Sequence, residues 1–270
     1  MGQIPNKVAE RLSTALRRFQ PVLQSARARD VTESDTSMIV TDMLADLFGF
    51  EKYSEITREY CIRGTFCDLA IKLDDKLEFL IEVKAAGLDL KDPHVKQAVD
   101  YAANQGVDWV ILTNGTVWKV FKVIFGKPIN QELVLEIDFS TLSPRSSAHL
   151  DVLFNLSREG IHKGALPAYH VQQQATNKFF LSAVVVSEPV IDTIRRELRR
   201  LSPDVRIKND DIRAALMNEV LKREVVEGDK AEDARKRLQR AAGKPLRSAK
   251  TRSPQRTIDE PGAKGTDEPE

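Results

Sequence analysis

The sequence predicts an α/β fold, a mixed sheet built in the order α-β-β-β-α-β, followed by a small helical C-terminal region and a disordered tail. Three observations carry this reading. "EITREYCI", "FCDLAIKL" and "LEFLIEVK" are short, apolar-rich runs separated by the turn stretches "RGT" and "DDK". "PHVKQAVDYAANQG" follows them with apolar residues at helical spacing. Beyond Gly243 the chain is charged and Pro-, Ser- and Gly-containing, with almost nothing to bury.

Taken in order, Val8, Leu12, Ala15, Leu16 and Phe19 predict a first helix within 1–29, with Pro21 as a break. "VTESDTSMIVTDMLADLFGF" predicts a second helix with the stripe Ile39, Met43, Leu44 and Leu47 and a stop at Gly49. Three strands follow, then a helix that Gly106 can end. Asn114-Gly115 joins "DWVILTNG" to "TVWKVFKV" as a hairpin, because both residues tolerate positive φ. "ELVLEIDF" is a further strand. The α/β body is expected over 30–140, a linker with "SPRSS" over 141–175, a helical region over 176–242 and the tail over 243–270. In the helical region, Val190, Ile194 and Leu198 form the apolar side of "EPVIDTIRRELRRL".

Composition limits the function classes. Among 270 residues, 41% are apolar and 30% charged, yet the formal net charge is only +1, so any basic surface is local. Cys61 and Cys67 are too few for a disulfide framework and read as reduced thiols. No Cys/His cluster has zinc spacing. No apolar run reaches membrane-spanning length, and the N-terminus has no secretory signal pattern; a cytoplasmic protein without a membrane partner is expected.

Three charged residues interrupt the second and third strands: Asp68, Glu82 and Lys84. Glu82 and Lys84 are two apart and project from one face of a strand. A hairpin at Asp74-Asp75 lets Asp68 lie beside Glu82. Adjacent carboxylates raise the cost of ionising both. A divalent cation removes that cost, and hard oxygens suit Mg²⁺. A lysine in the same pocket can orient an attacking water or stabilise charge on a phosphate. Val83, between them, would face the packed side. Each residue also has a plain reading. Asp68 can cap a turn, and Glu82 and Lys84 can form a solvent-facing charge set on an antiparallel sheet.

The order of elements and these residues together resemble the PD-(D/E)xK nuclease superfamily. Asp68 and the triplet Glu82-Val83-Lys84 match its motif, with Cys67 standing where the name has proline. Gln97 and Tyr101 match the Gln-x-x-x-Tyr pattern of its restriction-type members and share a helix face. More narrowly, residues 30–125 look like the N-terminal nuclease domain of type I restriction enzyme restriction (R) subunits, through "ESDT", "FGF", "RGTFCDLAI", "IEVKA", "QAVDYA" and "ILTNGTVWKVF".

The resemblance implies a restriction-endonuclease-like core and a metal-dependent endonuclease that hydrolyses DNA phosphodiester bonds in restriction or phage defence. Asp68, Glu82 and the carbonyl of Val83 would hold Mg²⁺, with Mn²⁺ as a substitute. Lys84 would activate or position water. Gln97 and Tyr101 would steady Lys84 or a phosphate. Glu33 is a candidate for the additional acid on the preceding helix, with Asp35 competing. No G-x-x-x-x-G-K-[ST] loop is present, so ATP-driven translocation is not expected of this chain, and a separate helicase or methyltransferase subunit is a candidate partner. Double-strand cleavage by one site per chain points to a homodimer. Arg195, Arg196, Arg199 and Arg200 are candidate DNA contacts, with a solvated helix face and a dimer interface as the other readings. A different class is a catalytically inactive nucleic-acid-binding or scaffold protein that recruits a motor or methyltransferase. The complete set Asp68, Glu82 and Lys84 weighs for the enzyme.

Overall fold

The computed structural model describes residues 4–62 and 65–242, and the chain divides into two units, 1–177 and 178–270, each taken by itself below. The expected turn at Arg63-Gly64 and the expected disordered tail 243–270 lie outside the described residues.

Helix α1 (Asn6–Ala28) buries Val8, Leu12, Ala15, Leu16, Phe19, Leu23 and Ala26 along one stripe. It runs through Pro21 rather than breaking there. Proline removes one N–H from the helical ladder. Leu23 and Ala26, beyond it, are 4% and 1% exposed, and their burial holds the helix together. Helix α2 (Glu33–Asp42) starts at Thr32, whose hydroxyl accepts the Asp35 N–H at 3.2 Å, and ends in a single π-turn, Met43–Leu47. Met43, Leu44 and Leu47 are buried as expected. Val40 is the fourth fully buried apolar side chain, and Ile39 is only half-buried.

The chain then leaves the helix through Gly49, at φ 84°. That left-handed φ favours glycine, and a Cβ there would also crowd the Arg11 guanidinium carbon at 2.6 Å. Arg11 donates to the carbonyls of Leu47 (3.1 Å) and Phe48 (3.2 Å) and grips both carboxylate oxygens of Glu159 at 2.7 Å. That guanidinium holds the Glu159 carboxyl below its ordinary range.

Six strands form one sheet in sequence order: β1 (Ile56–Ile62), β2 (Thr65–Leu73), β3 (Lys76–Val83), β4 (Trp109–Thr113), β5 (Val117–Ile124) and β6 (Asn130–Asp138). All neighbours are antiparallel except β3 and β4, which are parallel and joined over the sheet by α3 (Asp92–Gln105). A parallel pair needs such a crossover. Asp74 and Asp75, at φ 49° and 62°, make the two-residue turn between β2 and β3, as positive φ at both central positions requires.

The sheet is buried on both sides. On one face Leu12, Leu16, Met43, Leu44 and Leu47 pack on Leu69, Ile71, Phe79, Ile81, Val83 and Trp118. On the other, Val95, Ala98, Val99 and Ala102 of α3 pack on Ala70, Leu80, Val110 and Leu112. One expectation needs correction here. Residues 141–175 are not a linker: α4 (Ser147–Phe154), α5 (Arg158–His162) and α6 (Ala165–Ala175) occupy most of them, and Leu153, Phe154, Leu156 and Leu166 join the first core. The expected N-terminal helix is α1, and its stripe is a wall of that same core.

The second unit is helical, as expected: α7 (Lys178–Val185), α8 (Glu188–Leu201), α9 (Asn209–Ala215) with a π-turn at Leu216–Val220, α10 (Arg223–Val226) and α11 (Asp229–Ala242). Ala183, Ile191, Ile212, Val225, Ala231 and Ala234 are its buried apolar residues. On α8 the buried position is Ile191, and Leu198 is 37% exposed, so the stripe is rotated from the expected one. Among the described residues, no helix is long and apolar enough to cross a membrane.

Leu16 is fully buried in the core that α1 shares with the sheet. Leu16→Ala should therefore cost about 2–5 kcal/mol in urea unfolding of the sheet-containing unit. A change below about 1 kcal/mol would show that α1 is dispensable to that core.

Candidate active site

The site grows from the ends of β2 and β3. The β2–β3 register pairs Leu69 with Ile81, so the next step sets Asp68 beside Glu82. Asp68 Oδ2 accepts the Val83 N–H at 2.7 Å, so its carboxylate satisfies the strand's last donor. Along β3 the faces alternate: Phe79, Ile81 and Val83 enter the α1 core, while Leu80 enters the α3 core. Glu82 shares the Leu80 face by the two-residue period. Its side chain is 7% exposed.

Lys84 follows on that face. Its ammonium donates to Glu82 Oε1 at 2.7 Å and lies 3.4 Å from Glu33 Oε2, with only 16% of the side chain exposed. Its backbone N–H reaches across to Thr113 O at 2.7 Å. Of the two acids considered on the preceding helix, Glu33 is the one that meets Lys84. Asp35 instead accepts the Thr32 hydroxyl at 2.9 Å and closes the helix start.

Burial dominates the electrostatics. It pushes the Asp68 carboxyl above its ordinary range against the pull of the Val83 N–H and Lys84, and the charges of Glu33 and Glu59 add to the rise. It also raises Glu82, opposed by the Lys84 hydrogen bond and reinforced by Asp68. For Lys84 burial works downward, but the Glu82 hydrogen bond and the charges of Glu82, Glu33 and Asp68 outweigh it, so the ammonium is strengthened. Cys67 is a free, buried thiol, raised to about 12 by burial and by Glu82 and Asp68. It is not a nucleophile at neutral pH.

Glu82 Oε2 is buried without a hydrogen-bond partner. A buried carboxylate oxygen left so is costly, and a divalent cation is one partner that would satisfy it. The donor chemistry, two carboxylates raised by burial, fits a hard cation. Among the described residues, no group of three or more His, Cys, Asp or Glu side chains is arranged to hold a metal ion, so the site itself offers these two carboxylates and backbone oxygen.

Gln97 and Tyr101 both lie on α3. The Tyr101 ring is half-buried and packs on the α3 core, while the Gln97 side chain lies outside the described residues. The α8 arginines belong to the second unit and are largely engaged with their own helix: Arg195 pairs with Asp192 at 3.0 Å, Arg200 with Glu197 at 2.8 Å, and Arg196 reaches Thr193 Oγ1 at 3.5 Å. Arg199 is exposed.

One residue of the site gave no signal in the sequence. Glu59, on β1, has a φ of 49°, and the β1–β2 pairing skips it between Arg58–Leu69 and Tyr60–Cys67, the point facing Asp68. A strained non-glycine residue in a strand often marks a functional site. In the sequence it is one more polar residue in an alternating strand.

Residues 42–134 match the family described as type I restriction enzyme R protein N terminus (HSDR_N). The matched segment holds Asp68, Glu82, Lys84, Gln97 and Tyr101, and begins after Glu33. No curated protein and no solved structure gave a significant match.

The raised Asp68 carboxyl has a consequence for stability. An acid raised by folding penalises the folded state once ionised: the penalty is absent below the unfolded-state value and complete above the folded one. Asp68→Asn keeps an acceptor for the Val83 N–H and removes the charge. In metal-free buffer the variant should gain stability over wild type as pH rises through and above the ordinary carboxylate range. Urea midpoints between about pH 4 and about pH 8 check it, and a variant less stable than wild type at the upper end would contradict it.

Proposed function

We propose that the protein, whose residues 42–134 match the type I restriction enzyme R protein N-terminal family, is a Mg²⁺-dependent DNA endonuclease of restriction or phage-defence type. The observation that carries this reading is the buried Glu82 at the end of β3 beside the half-buried Asp68 of β2, with one Glu82 oxygen unpartnered and the Lys84 ammonium against the other. A structural charge set would sit on an exposed face and complete its own hydrogen bonds. This one is desolvated and incomplete.

In this proposal Asp68, Glu82 and the Val83 carbonyl hold the Mg²⁺, which when bound supplies Lewis acidity to the phosphate. The carboxylates of Glu82 and Glu33 favour the Lys84 ammonium. Lys84 activates or positions the attacking water and, as an ammonium, stabilises the negative charge on the phosphate oxygens. Glu33 gives Lys84 a second carboxylate partner, so the ammonium keeps its place however Glu82 is engaged. Gln97 and Tyr101 are assigned the support of Lys84 or of a backbone phosphate. The α8 arginines would meet phosphates by exchanging Asp192 and Glu197 for them. Cutting both strands would take two copies, and movement along DNA a separate motor subunit.

Supercoiled plasmid incubated with and without Mg²⁺ or Mn²⁺ tests the reading. Wild type should nick or linearise it only with metal, and Lys84→Ala should lose at least about 100-fold in rate without losing its fold. Full activity in Lys84→Ala would overturn the assignment. Metal-independent retention of DNA by both proteins, with no cleavage, would favour a binding or scaffold protein instead.

A further inference from the structure

Lys84 is the first residue of the link 84–91 between β3 and α3, which is neither helix nor strand. Within it one backbone hydrogen bond is made, from the Leu88 N–H to Ala85 O at 3.0 Å. So sparse a segment would leave the Lys84 backbone loosely held beyond its bond to Thr113. Its order comes from elsewhere. Asn114, 5% exposed in the β4–β5 turn, donates from Nδ2 to Leu88 O at 2.9 Å. The same side chain accepts the N–H groups of Thr116 (3.1 Å) and Val117 (2.8 Å) at Oδ1, which shapes its own turn.

A second grip comes from Lys119, whose ammonium reaches Leu90 O at 3.5 Å. Lys119 pairs across the sheet with Leu112, and Leu112 with Glu82, so it stands in the same row as the site carboxylate. On its other side the link closes on the α1–α2 connection. Gly87 lies so near Asp30 that a Cβ there would fall 2.1 Å from Asp30 Oδ1.

We propose that Asn114 is a positioning residue for the active site: one buried amide sets the β4–β5 turn and pins the link that carries Lys84, with Lys119 as the second grip. The role of "ILTNGTVWKVF" is then to hold the site's lysine from the neighbouring strands, beyond supplying a hairpin. This rests on the nuclease reading for its catalytic consequence, but not for the clamp itself.

Asn114→Asp separates the two functions of the amide. It keeps the acceptor for Thr116 and Val117 and replaces the donor to Leu88 O with a second acceptor. Amide hydrogen exchange over 85–91 should speed up about tenfold in the variant, with the β5–β6 amides unchanged. Under conditions well below its melting transition, its kcat on plasmid should fall about tenfold with KM unaltered. Lys119→Met, which leaves the turn intact, should loosen the 90–91 end by a smaller factor and serves if Asn114→Asp does not fold. Unchanged exchange over 85–91 in both variants would overturn the clamp. Faster exchange with wild-type kcat would overturn the positioning of Lys84. A wild-type protein that never cleaves, with the exchange effect present, would sink the nuclease reading and leave the clamp standing.

Discussion

A carboxylate buried in a central strand is the constraint around which the first unit is arranged. β3 is covered on both faces, and Glu82 takes a position on it that apolar neighbours occupy before and after. Removing that charge from water is expensive. The cost is only partly offset: Lys84 engages one oxygen, and the other is left without a partner. Asp68 adds a second, half-buried carboxylate that spends one oxygen on the end of the strand. A fold does not collect such groups for stability, because an apolar side chain of similar size would serve the core better.

Several elements are then explained by their relation to that spot. The N-terminus of α2 brings Glu33 to Lys84. The parallel β3–β4 pair places Thr113 to receive the Lys84 N–H. The strained Glu59 interrupts the β1 ladder opposite Asp68. Elsewhere in the unit, the Arg11–Glu159 pair joins the first helix to the fifth and covers Gly49 where the chain turns back toward β1. This bidentate, half-buried pair is of the stronger kind. It ties the helices of 147–175 to the core that the N-terminal helices form.

Much of the sheet was legible because strand and turn chemistry are local. Alternation marked the strands, and Asp74-Asp75 and Asn114-Gly115 marked two turns that the structure has. The helices of 147–175 were not legible, since "LDVLF" and its neighbours are too short and mixed to show a period, and only contact with α1 and the sheet orders them. Pro21 misled for the opposite reason: a local breaker was overridden by burial on either side of it. At the candidate site, Asp68, Glu82 and Lys84 were readable as charges out of place in an apolar pattern. Glu33 against Asp35 was not, because both are acids in the first helical turn and only the position of Lys84 separates them.

By itself, the sequence determined the six strands and the helix that crosses from β3 to β4, the two-residue turn that brings β2 back along β3, and the side-chain parity that sets Glu82 and Lys84 on one face. These follow from backbone geometry and the period of a strand, which neighbouring residues impose on one another. Tertiary structure alone decided which acid meets Lys84, that one Glu82 oxygen is buried without a partner, that Glu59 is strained opposite Asp68, and that Asn114 reaches the link after β3. Each of those depends on residues far apart in the chain meeting at one end of the sheet, and burial, rather than residue type, sets what their charges cost.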